Sequence, residues 1–379
     1  MRVLITTRGS AGHFGPLIPF AQALRDTGDD VLVATSGSTA DRVRAQGFAV
    51  RTYAEPPPEA RAPIFAAAGE LAHDAANRLV VTEAFVGLDG AAALDDLCAI
   101  VADWQPDLVL CESAEFAGPL AAERAGAPVA VVGIGLGAVE RKFMPVTIAA
   151  LAPLRARLGL PAEPEAQPAY FTLAPPLLDA PGAPHARRYR ERPVPVEPLP
   201  DWWDGDDAPL VYLTLGTVAP QMGFFPGLYR AAVDALAALP VRVLVTTGRA
   251  HDPAALGPLP RNVHAERWVP QAAVMPHAAA MACHGGFGTV RAGLAAGVPL
   301  AVLPLFADQP ENARRVAELG AGVALDDVGG LAPAVTALLA DPAHSAGAAA
   351  VAADVRALPL VDVAVGALRT LAERMVATQ

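Results

Sequence analysis

The 379-residue chain contains a single lysine, Lys142, and only three cysteines, Cys98, Cys111 and Cys283. Without a Gly-Lys pair it cannot form an ATP-binding P-loop, whose glycine turn must end in that lysine. Three is an odd number, and two of the cysteines sit in apolar strand-like runs. Reduced core thiols in the cytoplasm are therefore expected, rather than a disulfide framework. Charged residues make up 18% of the chain against 53% hydrophobic, which fits a globular α/β protein and excludes a disordered one. A net charge of −11 argues against nucleic acid or an anionic membrane as the main partner. The uncharged apolar run 125–139 is too short and too glycine-rich for a membrane-spanning helix. Residues 1–7 begin directly as a strand, with no signal-peptide pattern. The eight histidines show no His-Glu-x-x-His or paired-cysteine spacing, so no metal is expected.

The length exceeds one ordinary core and predicts two domains. Short β-branched runs at 2–7, 30–35, 48–53, 108–111 and 128–132 alternate with helical patterns, the signature of a doubly wound parallel sheet. Residues 54–89 carry prolines and scattered Phe without a clear strand. Prolines accumulate over 162–209, as in an interdomain linker. From Leu210 the strand–helix rhythm restarts, with strands at 210–215, 242–247 and 262–267. The expected division is a first domain over 1–195, a linker over 196–206, a second domain over 207–358 and an amphipathic C-terminal helix within 359–379.

The most informative stretch is Cys283-His284-Gly285-Gly286-Phe287-Gly288-Thr289. An apolar run precedes it, and Val290, Leu294 and Val298 follow at helical spacing, so it reads as strand, glycine turn and helix. Glycine lets the backbone approach a ligand closely, and unpaired amides at a helix start favour an anion. His284 and Thr289 add side-chain donors. Phosphate, and diphosphate in particular, fits this arrangement. Upstream, Arg267-Trp268-Val269-Pro270-Gln271 ends another strand and offers a flat ring on which a base can stack. Downstream, Phe306-Ala307-Asp308-Gln309 ends a third, delivering an acid and an amide. Ligands of open α/β sheets bind at such strand ends.

These three segments, in this order and spacing, resemble the donor-binding signature of family 1 glycosyltransferases of the GT-B fold, most closely the bacterial enzymes that act on polyketides and other natural products. The resemblance implies two Rossmann-like doubly wound domains facing across a cleft, with the C-terminal helix returning to the first domain. It also implies a nucleotide-sugar donor: base near Trp268, Val269 and Gln271, diphosphate at His284, Gly286, Gly288 and Thr289, and sugar hydroxyls at Asp308 and Gln309. Gly216 and Thr217, after the strand 210–215, match a further position facing the phosphates.

In the first half, Gly9-x-x-Gly12-x-x-Gly15 lacks the acid at the end of the second strand that a dinucleotide fingerprint needs. His13 in that loop is the more telling residue, because Gly12-His13-x-x-Pro16 matches the loop carrying the catalytic base of the family. Imidazole titrates in the right range to take a hydroxyl proton, and a carboxylate can hold its tautomer. The family places an aspartate where Glu112 stands, and the extra methylene moves the carboxylate by about 1.5 Å. Glu115 competes for that role or serves as a helix N-terminal acid. Asp204-Gly-Asp206-Asp207 has the Asp-x-Asp spacing of metal-dependent transferases, yet its place beside the linker reads as a solvated turn.

The expected activity is an inverting transfer from a nucleoside-diphosphate sugar to a small apolar aglycone, with His13 as base and neither cofactor nor metal. Family acceptor sites are built from first-domain loops, here 54–89 and 133–147, which nominates Phe65, Phe85, Phe143 and Met144. Many relatives carry a glutamate for the ribose hydroxyls eight residues after the motif histidine; Ala292 in its place favours thymidine-diphosphate sugars. Competing readings are an epimerase or lipid-linked transferase of the same fold, and a non-catalytic partner of a biosynthetic enzyme. A homodimer is left open.

Overall fold

A computed structural model describes residues 1–180, 183, 185–195 and 197–376. Position 196, where the expected linker begins, and residues 377–379 of the C-terminal segment lie outside the described residues. The chain forms two compact units, Met1–Ala174 with Asp179–Arg192 and Leu358–Gln379, and Pro175–Leu178 with Pro193–Ala357.

The first unit is built on seven strands: β1 (Arg2–Thr6), β2 (Asp30–Ser36), β3 (Ala49–Tyr53), β4 (Leu108–Glu112), β5 (Val129–Val132), β6 (Ala169–Thr172) and β7 (Arg187–Arg188). They lie in the order β3-β2-β1-β4-β5-β6-β7, and every pairing is parallel. Val3 and Ile5 enter one core cluster with Phe14, Leu17 and Phe20, whereas Leu4 enters another with Leu94, Leu97 and Leu120. Both faces are thus covered. That is why the strands read as continuous apolar runs instead of alternating ones.

The second unit repeats the plan with β8 (Leu210–Thr214), β9 (Arg242–Thr246), β10 (Val263–Glu266), β11 (Ala278–Cys283), β12 (Leu300–Val302) and β13 (Gly322–Ala324). Their order is β10-β9-β8-β11-β12-β13, again parallel throughout. In each unit the strand order reverses once, between β1 and β4 and between β8 and β11. Side chains leaving those strand ends converge on the crevice where ligands of such sheets bind.

Three expectations need correction. Most of 54–89 is helical, not loop: Pro58–Gly69, His73–Leu79 and a π-helical stretch Val80–Gly90. Pro58 occupies the first helical turn, where a missing N–H costs nothing. Most of 133–147 likewise belongs to the helix Gly137–Arg157, which carries Pro145 and Pro153 internally. The proline-rich stretch 162–209 is not wholly linker, since it contributes β6 and the edge strand β7, neither of which contains a proline.

The C-terminal segment completes the first unit. Val361, Ala364, Val365, Leu368 and Ala372 join the cluster containing Val3 and Phe20. Arg192 Nε reaches Asp362 at 2.9 Å, and the Arg190 N–H donates to the Pro359 carbonyl at 2.9 Å. Among the described residues no helix is long and apolar enough to cross a membrane.

Candidate active site

The first unit's site is set by the ends of β1 and β4. Gly9 turns the chain with φ +79, and a Cβ there would lie 2.0 Å from Thr39 Oγ1. A short helical turn, Ala11–Phe14, follows, with Phe14 buried in the core. That anchor presents His13 toward the end of β4. His13 Nδ1 stands 2.7 Å from Glu112 Oε1, with the acid fully buried and the imidazole 18% exposed. Glutamate spans the distance that its extra methylene had put in question. The other carboxylate oxygen accepts the Ala114 N–H at 2.6 Å. Burial alone would raise the Glu112 pKa, but the His13 ring, Arg8 and that N–H outweigh it and hold the pKa below the ordinary value. An ionised carboxylate only accepts, so the Nδ1 facing it carries a proton, and in the neutral ring the lone pair then belongs to Nε2.

Glu115 has a different role. Its Oε1 accepts the Ala117 and Gly118 N–H groups at 2.8 and 3.0 Å, and Thr6 Oγ1 donates to Oε2. It anchors the start of the helix Ala117–Ala125, and burial pushes its carboxyl up to about 7.

Of the four acceptor candidates, Phe85 is the one whose ring meets His13 among the described residues, edge-on with centroids 6.0 Å apart. The Arg8 guanidinium lies over the same ring at 3.5 Å and pairs with Asp89 at 2.5 Å. Arg61 holds the other Asp89 oxygen at 2.7 Å. Phe85 and Asp89 both come from the π-helical stretch, a geometry found often at functional sites. Phe65 and Met144 are exposed on their helices, while Phe143 is buried. Arg8, Arg61 and Asp89 were not foreseen. They are 53 and 28 residues apart in the chain, so no local pattern announces them.

In the second unit the glycines are shaped around His284. A Cβ on Gly216 would lie 2.6 Å from the His284 ring, and one on Gly286 2.5 Å from Nε2. Gly285 has φ +87, and a Cβ there would lie 2.7 Å from Val302 Cγ1. The helix Phe287–Ala295 starts here, and its first backbone bonds run from Thr289 and Val290 to the Gly286 carbonyl at 2.9 and 3.0 Å. The amides of Phe287 and Gly288 precede those bonds and point out of the helix start. Gly288 is exposed, Thr289 half-buried and Thr217 exposed. Burial lowers the His284 pKa to about 4, so the ring is neutral at pH 7. The Thr214 carbonyl opposes that fall, although no hydrogen bond of normal geometry reaches the buried Nδ1.

Trp268 is 47% exposed and the Arg249 guanidinium lies 3.8 Å over its ring. Both line an open pocket of about 340 Å³ with Pro253, Glu266 and Arg267. Val269 and Gln271 are half-buried. Asp308 precedes the helix Gln309–Glu318. Gln309 is 2% exposed, and its Oε1 accepts the Leu305 and Phe306 N–H groups at 2.7 and 3.0 Å. Its oxygen therefore braces the loop. Asn312, also unforeseen, donates to the Gly285 carbonyl and to Asp308 Oδ2, each at 2.8 Å. Its spacing of four from Asp308 on a helix is the one signal that was available. Asp204 and Gly205 form an exposed turn with φ 51 and 83.

Two Rossmann-like parallel units, each with polar groups gathered where its strand order reverses, define a protein of the GT-B class. Residues 22–155 match the N-terminal domain and 230–371 the C-terminal domain of the family described as erythromycin biosynthesis protein CIII-like. The L-demethylnoviosyl transferase of Streptomyces niveus is 33% identical over 91% of this chain and 92% of its own. The elloramycin glycosyltransferase ElmGT of Streptomyces olivaceus is also 33% identical, over 95% and 94%. The crystal structure of glycosyltransferase VinC in complex with dTDP matches with a TM-score of 0.77 and 26% identity, over 99% of this chain and 100% of that one. The chain belongs to this family and is a glycosyltransferase.

Proposed function

We propose that this enzyme transfers a sugar, with inversion, from a thymidine-diphosphate sugar to a hydroxyl of a small apolar aglycone of natural-product type. The observation that carries the reading is the pairing of half-buried His13 with fully buried Glu112, 2.7 Å apart. Glu112 fixes the Nδ1–H tautomer, so Nε2 faces outward as the base. The acceptor oxygen attacks the anomeric carbon, its proton passes to Nε2, and the bond to the diphosphate breaks. Glu112 then stabilises the imidazolium. A single displacement inverts the anomeric carbon. Phe85, against the imidazole edge, is positioned to border an apolar acceptor.

The departing diphosphate is taken by the amides at the start of the helix Phe287–Ala295 and by neutral His284, which supply dipole and donors without a metal or cofactor. Trp268 stacks the base, and Asp308 accepts hydrogen bonds from sugar hydroxyls. VinC, crystallised with dTDP, supports the nucleotide, as does Ala292, which offers no carboxylate to a ribose 2′-hydroxyl. A thermal-shift screen against dTDP- and UDP-sugars tests the reading, followed by mass spectrometry of products from a panel of aromatic and macrolide aglycones. Stabilisation by a nucleotide-sugar and a product heavier by one sugar are expected. Binding without any product would favour a non-catalytic role.

A further inference from the structure

Asn312 occupies an unusual place between two segments of the donor site. It is 1% exposed, on the first turn of the helix Gln309–Glu318. Its two amide hydrogens go to the Gly285 carbonyl and to Asp308 Oδ2, each at 2.8 Å. The reversed amide would set its oxygen against two other oxygens, so the orientation is fixed. Its Oδ1 is then buried without a partner. A buried acceptor left unpaired is costly, and an aliphatic side chain would avoid that cost. What the aliphatic side chain could not do is tie Gly285 to Asp308.

Both tied segments have little freedom of their own. Gly285 sits at φ +87, with its Cβ position 2.7 Å from Val302 and 3.2 Å from the Gln309 carbonyl. Ala307, just before Asp308, holds a left-handed φ of 57, unfavourable for a residue with a Cβ. The loop leading to Asp308 is fastened by Gln309 through the Leu305 and Phe306 amides. Asn312 joins this fixed loop to the glycine turn beside His284.

We propose that Asn312 is a positioning residue that sets the Asp308 carboxylate in register with the diphosphate cradle, so that sugar hydroxyls and phosphates are gripped as one unit. The proposal rests on the donor-site reading above. It assigns Asn312 no contact with the ligand. Loss of Asn312 should leave the phosphate donors intact while Asp308 drifts from the sugar.

Calorimetric titration with dTDP and with dTDP-glucose tests this. In Asn312→Ala, dTDP affinity should stay within about threefold of wild type, while dTDP-glucose affinity falls about tenfold or more. Asn312→Ser, smaller but still polar, gives the same comparison if the alanine variant does not fold. A double-mutant cycle isolates the route: in an Asp308→Ala background, Asn312→Ser should leave dTDP-glucose affinity unchanged, because the group it acts through is gone. Equal losses for both ligands, no loss for either, or additive losses in the cycle would overturn the proposal and leave the donor site standing. Failure of the wild-type enzyme to bind dTDP at all would instead remove the donor-site reading, and this one with it.

Discussion

The His284 Nε2 lies 2.5 Å from where a Cβ on Gly286 would stand, so the ring and the glycine turn are shaped to each other. If that turn cradles the diphosphate, Gly286→Val should weaken dTDP binding by about tenfold or more, because the side chain displaces both the ring and the ligand. His284→Ala should weaken it as well, through loss of a donor. Calorimetry showing wild-type dTDP affinity in both variants would place the donor elsewhere. Turnover should also persist in excess chelator; a loss restored by magnesium would contradict the metal-free reading.

The two buried acids near His13 make opposite predictions. Glu112 contacts the imidazole, whereas the hydrogen bonds of Glu115 go to Thr6, Ala117 and Gly118. Glu112→Gln should therefore lower kcat while leaving dTDP affinity unchanged, because the amide no longer stabilises imidazolium. Glu115→Gln should act mainly on thermal stability, by disturbing the start of its helix. Steady-state kinetics beside thermal melts separate the two. The roles are reversed if Glu115→Gln is the variant that loses turnover at unchanged stability.

On the proposed reading, Ala292 sets the nucleotide preference. A ribose 2′-hydroxyl buried without an acceptor costs about 1–3 kcal/mol, and 2′-deoxyribose has no such group. Dissociation constants measured side by side should favour thymidine over uridine diphosphate by about tenfold. Ala292→Glu should move the ratio toward uridine. Equal constants for the two nucleotides in both proteins would remove the argument.

The C-terminal segment should matter for stability. Leu368 is fully buried in the first unit's core, so Leu368→Ala should destabilise that unit by about 2–5 kcal/mol. A urea titration with an unchanged midpoint would show that the segment is dispensable for folding.

The strands were legible because parallel sheets covered on both faces demand uninterrupted apolar runs, as at Val3–Leu4–Ile5 and in β11. The glycine turn at 285–288 was legible because local backbone geometry dictates its composition. Helices that begin with or contain proline, such as Pro58–Gly69 and Gly137–Arg157, were masked by residues that locally signal breaks. β6 and the edge strand β7 were hidden because they are short and lie among the prolines of 162–209. Arg8, Arg61 and Asp89 meet only through tertiary packing, so no window of sequence contains their pairing. Gln309 shows the converse: its place in the motif was plain, but its use as a loop brace follows from burial that the motif does not encode.

The central claim is that His13, oriented by Glu112, takes the acceptor proton. The most direct measurement is the turnover of His13→Ala, with dTDP affinity measured on the same preparation. Turnover should fall by roughly 10²–10⁴-fold, the range expected for loss of a general base, while dTDP binding stays at its wild-type value. Undiminished turnover of an unactivated hydroxyl acceptor by His13→Ala would contradict the account.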